Sequence, residues 1–183
     1  LWVGRFEKIK NPLMFIDALS LLKSKEPIDV IIVGNGSLQK KLTKKIICFN
    51  KTKKNNSVNI KILPNLSRYE VLIEFRKANI YVNTSKSEAF CTSALEALVN
   101  KFCFLVIPNI ESLTSTYKYQ NVEFYDKDSP EDLASHLDKL ICKDLVTSKL
   151  TNYENFPEKF KLNYCAKRYI KVYKNTFKKN LKF

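Results

Sequence analysis

Short runs of apolar, often β-branched residues alternate along this sequence with stretches of helical periodicity, and this alternation limits the possible folds more than any other feature. The clearest run spans residues 30–33, and Gly34-Asn35-Gly36 ends it before a helix predicted over residues 38–47. Buried parallel strands form continuous apolar runs because helices cover both faces of their sheet. The pattern therefore predicts an α/β domain with a Rossmann-like, doubly wound parallel sheet.

Six such runs are present, and helical periods separate them. The predicted strands are residues 1–3 (ending at Gly4 and Arg5), 30–33, 58–63, 80–82, 102–107 and 122–125. Besides the helix at 38–47, helices are predicted to begin at Pro12 after Asn11, after Ser67 (with Glu70 completing a capping box), at Thr92 and after Ser129. This order of elements is typical of a doubly wound sheet.

The length fits one domain. A chain of 183 residues that is 45% hydrophobic can bury a full core. Residues 1–183 are therefore predicted to form a single domain, with a helical tail at 155–183. The sequence begins directly in the apolar run Leu1-Trp2-Val3, so we expect a fragment of a longer protein.

The charge balance favours an anionic partner. The chain has 32 Lys and Arg residues against 18 Asp and Glu, a net charge of +14. A nucleotide diphosphate, a nucleic acid or an anionic lipid surface fits this charge, and so does a solvated lysine-rich surface without a partner. No recognised nucleic-acid-binding motif is present, so we do not expect a nucleic acid.

Several kinds of site are not expected. The five cysteines lack metal-ligand spacing, which argues against a zinc site and a disulfide framework. His136 is the only histidine and lies in a predicted helix, so we expect a surface position and no catalytic triad. The given sequence shows no signal-peptide pattern, and no apolar run in it approaches the roughly 20 residues of a membrane span. We expect a cytoplasmic protein and leave open peripheral contact with the cytoplasmic face of a membrane.

Candidate binding residues follow the strands, at the edge of the sheet where ligands of such folds bind. Arg5 and Lys10 follow the first strand and could neutralise a diphosphate. Glu88 precedes the helix at Thr92 and Glu96 lies within it, so two carboxylates can accept hydrogen bonds from hydroxyls at two ends of one ligand. The amides of residues 89–92 between them offer an anion site. A nucleotide sugar has this pattern of groups.

These motifs resemble the donor-binding C-terminal domain of a family 4 (group 1) glycosyltransferase of the GT-B fold, over residues 1–141. The matching motifs are Val3-Gly4-Arg5 with Lys10, Val33-Gly34-Asn35-Gly36, and the pair Glu88 and Glu96. The region from Glu88 to Leu98 further resembles galactolipid synthases and, more faintly, the catalytic subunit that begins GPI-anchor synthesis.

The resemblance implies a role for each matching residue. It implies a catalytic role for Arg5, Lys10 and Glu88, with Arg5 and Lys10 on the diphosphate and Glu88 on the sugar. Glu96 would bind the ribose, and the turn from Leu63 to Leu66 would lie beside the base. The complete expected donor site is Gly4, Arg5, Lys10, Gly34, Leu63, Leu66, Glu88, Ala89, Phe90, Cys91, Thr92 and Glu96.

The sequence also departs from the family pattern. The family usually has glycine where Ala89 and Cys91 stand, a Gly-x-Pro at Lys101-Phe102-Cys103, and a Gly-Gly loop at residues 108–111. Backbone amides approach a phosphate most closely where no side chain intervenes. These changes could therefore weaken or reshape donor binding.

The resemblance implies a retaining, hexosyltransferase-type glycosyltransferase. The expected donor is a nucleotide diphosphate sugar, foremost a UDP-sugar, with no cofactor and no metal; the acceptor is a lipid, a glycan or a protein. Acceptor binding would belong to a missing N-terminal domain, so we expect the isolated fragment to be inactive. Two alternatives remain: a catalytically degenerate domain that binds a nucleotide sugar or stabilises a partner, and a nucleic-acid-binding domain suggested by charge alone.

Overall fold

The structure is a computed structural model that describes residues 1–52, 57–99, 103–142 and 163–171. Contacts divide the chain into two compact units, Leu1–Lys149 and Leu150–Phe183. In the second unit the described residues, 163–171, are helical. They fall within the predicted tail at 155–183, whose other residues lie outside the described part of the chain.

The first unit contains the predicted six-stranded sheet, and every strand pair is parallel. The strands are β1 (Trp2–Val3), β2 (Ile28–Val33), β3 (Val58–Leu63), β4 (Ile80–Val82), β5 (Phe104–Pro108) and β6 (Val122–Tyr125). Several bounds differ from prediction. β1 begins at Trp2 and ends before Gly4, and β2 begins two residues earlier than predicted. β5 was predicted over 102–107 but begins at Phe104 and includes Pro108.

The strand order is β3-β2-β1-β4-β5-β6. The chain first moves outward from β1 to β3 and then returns to place β4 on the other side of β1. At such a switch point the loops after the two central strands diverge and leave a crevice at their carboxyl ends. The loops after β1 and β4 contain Arg5, Lys10 and Glu88.

Six helices are described in this unit. They are α1 (Pro12–Ser20), α2 (Gln39–Thr52), α3 (Arg68–Lys77), α4 (Thr92–Val99), α5 (Glu111–Thr116) and α6 (Pro130–Cys142). α2 begins one residue later than predicted and ends five residues later. α5 was not predicted, and it begins within the segment that corresponds to the Gly-Gly loop of the family.

Capping and backbone geometry explain where several helices begin. Pro12 is the first residue of α1, and Asn11 before it has a left-handed conformation with φ 51°. The predicted capping box of α3 is present: Ser67 accepts from the Glu70 amide, and Glu70 accepts from the Ser67 amide. Ser129 Oγ accepts a 3.1 Å bond from the Asp132 amide at the start of α6, as its predicted cap requires.

The main core lies between one face of the sheet and the helices α1, α2 and α6. Its largest buried members include Trp2, Phe6, Phe15, Leu42 and Leu133. On α1, Ile16 and Leu19 are each 2% exposed and belong to this core. Burial of this apolar surface holds β1 and its following loop in place.

Candidate functional site

The loop after β1 is folded tightly against the loop after β2. The Gly4 amide donates to the Val33 carbonyl at 3.0 Å, and the Phe6 amide donates to the Asn35 carbonyl at 2.7 Å. The Phe6 side chain is fully buried. These contacts position the exposed Arg5 side chain at the carboxyl edge of the sheet.

Gly34 and Gly36 make this close approach possible. A Cβ atom at Gly34 would lie 1.9 Å from the Gly4 carbonyl oxygen, and one at Gly36 would lie 2.7 Å from the Phe6 carbonyl oxygen. Their φ angles, 141° and 151°, also disfavour any residue with a side chain. The structure thus shows a packing role for the Val-Gly-x-Gly motif, in addition to the donor contact that the resemblance implies for Gly34.

The loop after β4 is anchored to the loop after β1 by buried polar groups. Thr84 Oγ1 accepts from Trp2 Nε1 at 2.9 Å and lies 2.8 and 3.0 Å from the carbonyl oxygens of Lys10 and Asn11. The Lys86 amide donates to the Ile9 carbonyl at 2.8 Å. Trp2 therefore supports the site from the core, although its sequence position marks only a strand.

Lys10 and Glu88 are in direct contact. The Lys10 ammonium forms a short salt bridge with Glu88 Oε1, which also accepts hydrogen bonds from Ser85 Oγ at 2.7 Å and Asn83 Nδ2 at 3.4 Å. Burial alone would raise the Glu88 pKa, but the hydrogen bonds and the Lys10 charge outweigh it, so the pKa is lowered. Two candidate residues 78 positions apart thus form one ionised cluster.

Glu96, on α4, forms a separate pair. Its side chain is 13% exposed, and Oε1 forms a close ion pair with Arg68, the first residue of α3. Oε1 is buried against the Arg68 guanidinium. Sequence reasoning missed Arg68, although it follows the capping residue Ser67 directly and begins a helix at the same edge of the sheet.

The turn from Leu63 to Leu66 lies beside the loop after β2. Leu63 is the last residue of β3, and its carbonyl accepts a 3.2 Å bond from the Gly34 amide. Asn65 has φ 57° and accepts a hydrogen bond from Asn35 Nδ2. Leu66 is partly buried. Sequence reasoning had not identified the Asn35–Asn65 bond, which joins two predicted parts of the donor site.

The segment from Glu88 to Cys91 is held by α5 and the residue after it. Ser112 Oγ donates to the Glu88 carbonyl, and Tyr117 Oη lies 2.7 and 2.9 Å from the carbonyl oxygens of Phe90 and Cys91. Tyr117 is fully buried. α5 therefore clamps the backbone of the predicted donor loop, a role that only its tertiary position reveals.

The backbone conformation at Cys91 is one that glycine adopts most easily, which agrees with the glycine usual at this position in the family. Its φ is 57°, in the left-handed region. The thiol is buried and accepts from Asn83 Nδ2 at 3.0 Å, and burial raises its pKa. Cys91 therefore acts as a packing residue, because a buried thiol with a raised pKa is a poor nucleophile.

The neighbouring residues Ala89, Phe90 and Thr92 are exposed. Phe90 is 39% exposed and packs its ring 6.2 Å from that of Tyr117. Thr92 is the first residue of α4. The loop therefore presents an aromatic surface beside the Lys10–Glu88 pair.

His136 lies on α6, away from these residues in the chain, and is partly buried. Its Nδ1 lies 2.6 Å from Glu123 Oε2 on β6, and its Nε2 lies 3.8 Å from Asp132 Oδ2. The contacts tie α6 to the last strand, so His136 is less exposed than its predicted surface position implies.

Concavity alone does not identify the site. One open groove of about 410 Å³ lies between α1 and α6, and a wider one of about 1340 Å³ follows the amino-terminal ends of the strands and the β2–β3 surface. Neither includes Arg5, Lys10, Glu88 or Glu96. The candidate site is therefore assigned from the charged residues at the switch point and not from the shape of the surface.

Solved structures share this fold. A glycosyltransferase from Rickettsia africae ESF-5 superposes with a TM-score of 0.71 at 21% identity, covering 97% of this chain and 47% of that one. The catalytic domain of cholesterol-α-glucosyltransferase from Helicobacter pylori superposes with a TM-score of 0.67 at 19% identity, covering 84% of this chain and 93% of that one. A Staphylococcus aureus TarM variant in complex with fondaparinux, α-GlcNAc-glycerol and UDP superposes with a TM-score of 0.73 at 20% identity. The match covers 93% of this chain and 34% of that one.

At these identities the likeness shows the fold, which is the Rossmann-like α/β fold of GT-B glycosyltransferases. The chain spans less than half of the Rickettsia and TarM proteins. Comparison with curated protein sequences gives no match. None of the described helices is long and apolar enough to cross a membrane.

The sequence comparison identifies the family. The model for "Glycosyl transferases group 1" matches residues 1–156, which include both loops of the switch point and all the candidate site residues. The chain therefore belongs to the group 1 glycosyl transferases.

Proposed function

We propose that this chain is the donor-binding half of a retaining hexosyltransferase that uses a nucleotide diphosphate sugar, foremost a UDP-sugar. The observation that carries the proposal is the Lys10–Glu88 pair at the switch point of the sheet. An ammonium and an ionised carboxylate side by side match a ligand in which a phosphate adjoins sugar hydroxyls. The complex of TarM with UDP supports a UDP-linked donor.

In the proposed complex, Lys10 turns from Glu88 to the donor diphosphate, and Glu88 accepts hydrogen bonds from sugar hydroxyls. Ser85 and Asn83 already hold Glu88 from the protein side, so the carboxylate keeps its position when Lys10 moves. The lowered Glu88 pKa keeps it ionised and able to accept.

The leaving diphosphate needs positive charge, and we assign that role to Lys10 and the exposed Arg5. Both lie on the loop that Gly34 and Gly36 hold in place. Charged donors that are fixed before reaction stabilise developing negative charge effectively, since little reorganisation is required. In this scheme the two side chains take the place of a divalent cation.

Glu96 is proposed to bind the ribose hydroxyls. Arg68 occupies its buried Oε1, so the other carboxylate oxygen is assigned to accept from a ribose hydroxyl. Arg68 compensates the charge of the carboxylate and orients it. The turn from Leu63 to Leu66 is proposed to border the base.

The acceptor is proposed to bind a separate N-terminal domain, which would close over the donor and exclude water. The resemblance of the Glu88 region to galactolipid synthases and the net charge of +14 favour a lipid acceptor at the cytoplasmic face of a membrane, although glycan and protein acceptors remain in the class. The similar Helicobacter pylori enzyme is a cholesterol glucosyltransferase, which agrees with a lipid acceptor.

Calorimetric titration of the 183-residue chain with UDP, GDP and their sugar conjugates tests the donor site. We expect saturable binding, strongest for a uridine ligand, that weakens about tenfold or more in Arg5→Ala and in Glu96→Ala, since each loses a charged hydrogen-bonding group. Lys8→Ala and Glu26→Ala are matched controls, because they remove the same charges from exposed positions. Equal loss in the controls, or no binding at millimolar ligand, would contradict the proposal.

A catalytically degenerate domain is the second candidate, favoured by Cys91. A non-glycine residue occupies a left-handed backbone position in the proposed phosphate loop. Such a domain would bind a nucleotide or stabilise a partner without transferring sugar. Donor hydrolysis and transfer assays on the chain with its acceptor domain separate the two: donor binding without any turnover favours degeneracy.

A further inference from the structure

Helix α2 carries an unusual charge distribution. Five of its fourteen residues are lysines and none is acidic. The other five labelled helices each contain at least one Asp or Glu; the described helix at residues 163–171 in the second unit also lacks acidic residues but has only three basic ones. Within the described residues only Lys45 has an ion-pair partner, Asp17 on α1, at 2.6 Å. The remaining positive charge of this helix is therefore uncompensated.

The uncompensated lysines point away from the protein. Leu42 and Ile46 face the core, 0% and 7% exposed. Lys40, Lys44 and Lys51 lie at helical spacings that place them within about 60° of one another on the opposite side. All three are exposed. Together they form one stripe that is about 17 Å long from Lys40 to Lys51.

An apolar side chain interrupts the stripe. Ile47, which is 47% exposed, points within about 60° of the three lysines. Lys41 and Cys48 are also exposed and point about 100° or more away from Ile47, on the side of Lys44. A single exposed isoleucine is ordinary on a protein surface, but here it is the apolar centre of a cationic surface. The lipid face consists of Lys40, Lys41, Lys44, Ile47 and Lys51.

We propose that the lipid face docks on an anionic lipid bilayer. Lysines are attracted to acidic headgroups, and their flexible stems let the ammonium groups stay at headgroup level while Ile47 enters the interface. A nucleic acid is the less favoured partner, because the face has no arginine and no aromatic side chain to stack on or read bases. The proposal extends the membrane location proposed above, but it can be measured without any nucleotide.

Cosedimentation of the 183-residue chain with vesicles tests the proposal. We expect binding to phosphatidylcholine vesicles that contain phosphatidylglycerol, little binding to pure phosphatidylcholine, and loss in high salt. Replacement of Lys40, Lys44 and Lys51 by Gln should weaken binding roughly 100-fold, at about fivefold for each lysine. Ile47→Asn should weaken it further, whereas a purely diffuse attraction would not respond to that change.

The matched control replaces Lys25, Lys118 and Lys139 by Gln, which removes equal charge from other exposed positions. We expect this variant to bind vesicles close to the parent. Equal loss in the two triple variants overturns the proposal, as does binding of random-sequence duplex DNA that depends on the lipid face without any vesicle binding. Calorimetry with UDP reports the donor site separately, and we expect both variants to keep the affinity of the parent.

Discussion

The loops after β2 and after β4 both contain residues with positive φ, but they differ in whether a side chain fits at those positions. At Gly34 and Gly36 a side chain would collide with the backbone of the neighbouring loop. At Cys91 the backbone is also left-handed, yet the side chain has a buried place against Asn83. The first loop needs glycine because of space, and the second favours it only because of conformation. From that difference we expect this chain to tolerate a side chain at position 91 but not at positions 34 and 36.

Gly34→Ala should have the largest effect. Its Cβ would meet the Gly4 carbonyl oxygen at 1.9 Å in a conformation that side chains rarely adopt, so we expect a loss of at least about 3 kcal/mol in the free energy of unfolding. Urea denaturation measures it. In the control, Gly4→Ala, the new Cβ would meet only the Trp2 ring, at 3.1 Å, and should cost about 1 kcal/mol. Similar losses of stability in the two variants would contradict a steric requirement for glycine at position 34.

Tyr117→Phe tests how the loop after β4 is held. The change keeps the ring beside Phe90 but removes the hydroxyl from two carbonyl oxygens. We expect a loss of about 1–3 kcal/mol, since buried acceptors lose their donor, and weaker UDP binding in calorimetry. Tyr119→Phe, which removes a less buried hydroxyl two residues away, is the control. Unchanged UDP affinity in Tyr117→Phe would show that the clamp does not shape the donor site.

Acid should weaken the contacts that hold the loop after β4. Because the folded-state pKa of Glu88 is lowered from 4.5, its ionisation stabilises the fold above that pH, and the contribution is lost as the pH falls through the folded-state pKa. Denaturation of the parent and of Glu88→Gln as the pH decreases below about 4.5 measures this. The difference between them should narrow in acid. A constant difference would mean that the Lys10–Glu88 pair does not stabilise the fold.

Cys91→Gly should have the smallest effect. Relief of the left-handed conformation and loss of the buried thiol oppose each other, so we expect a change within about 1 kcal/mol. Cys91→Ala loses the thiol but keeps the conformational cost, and it should be less stable than Cys91→Gly by roughly 1 kcal/mol. The difference in thermal stability between Cys91→Ala and Cys91→Gly measures the cost of the left-handed conformation at this position. Equal stability would show that φ at this position costs nothing.

Periodicity and capping predicted most of the fold. The runs at 58–63, 80–82 and 122–125 became strands with the predicted bounds, because a buried parallel strand needs an uninterrupted apolar run. α5 escaped prediction because its six residues, Glu-Ser-Leu-Thr-Ser-Thr, carry too little periodicity. The end of α2 was missed because Cys48 to Thr52 is largely polar, and packing of Phe49 against the core accompanies its extension.

The candidate site could be predicted only in part, and its residue roles remain predictions. Lys10 and Glu88 were assigned to one ligand, and they are in contact. Arg68 was missed because ion pairing with Glu96 depends on where α3 and α4 meet. Ser112 and Tyr117 were missed for the same reason: their partners are backbone carbonyls more than 20 residues earlier.

Local patterns and motifs were enough to predict the class of fold, the order of the candidate binding residues along the chain, and the family. Tertiary packing was needed to establish which cation pairs with which carboxylate, which glycines are required by space, and which helix face stays without compensating charge. Those properties depend on distances between residues far apart in the chain, and such distances are set by packing of the whole sheet and its helices.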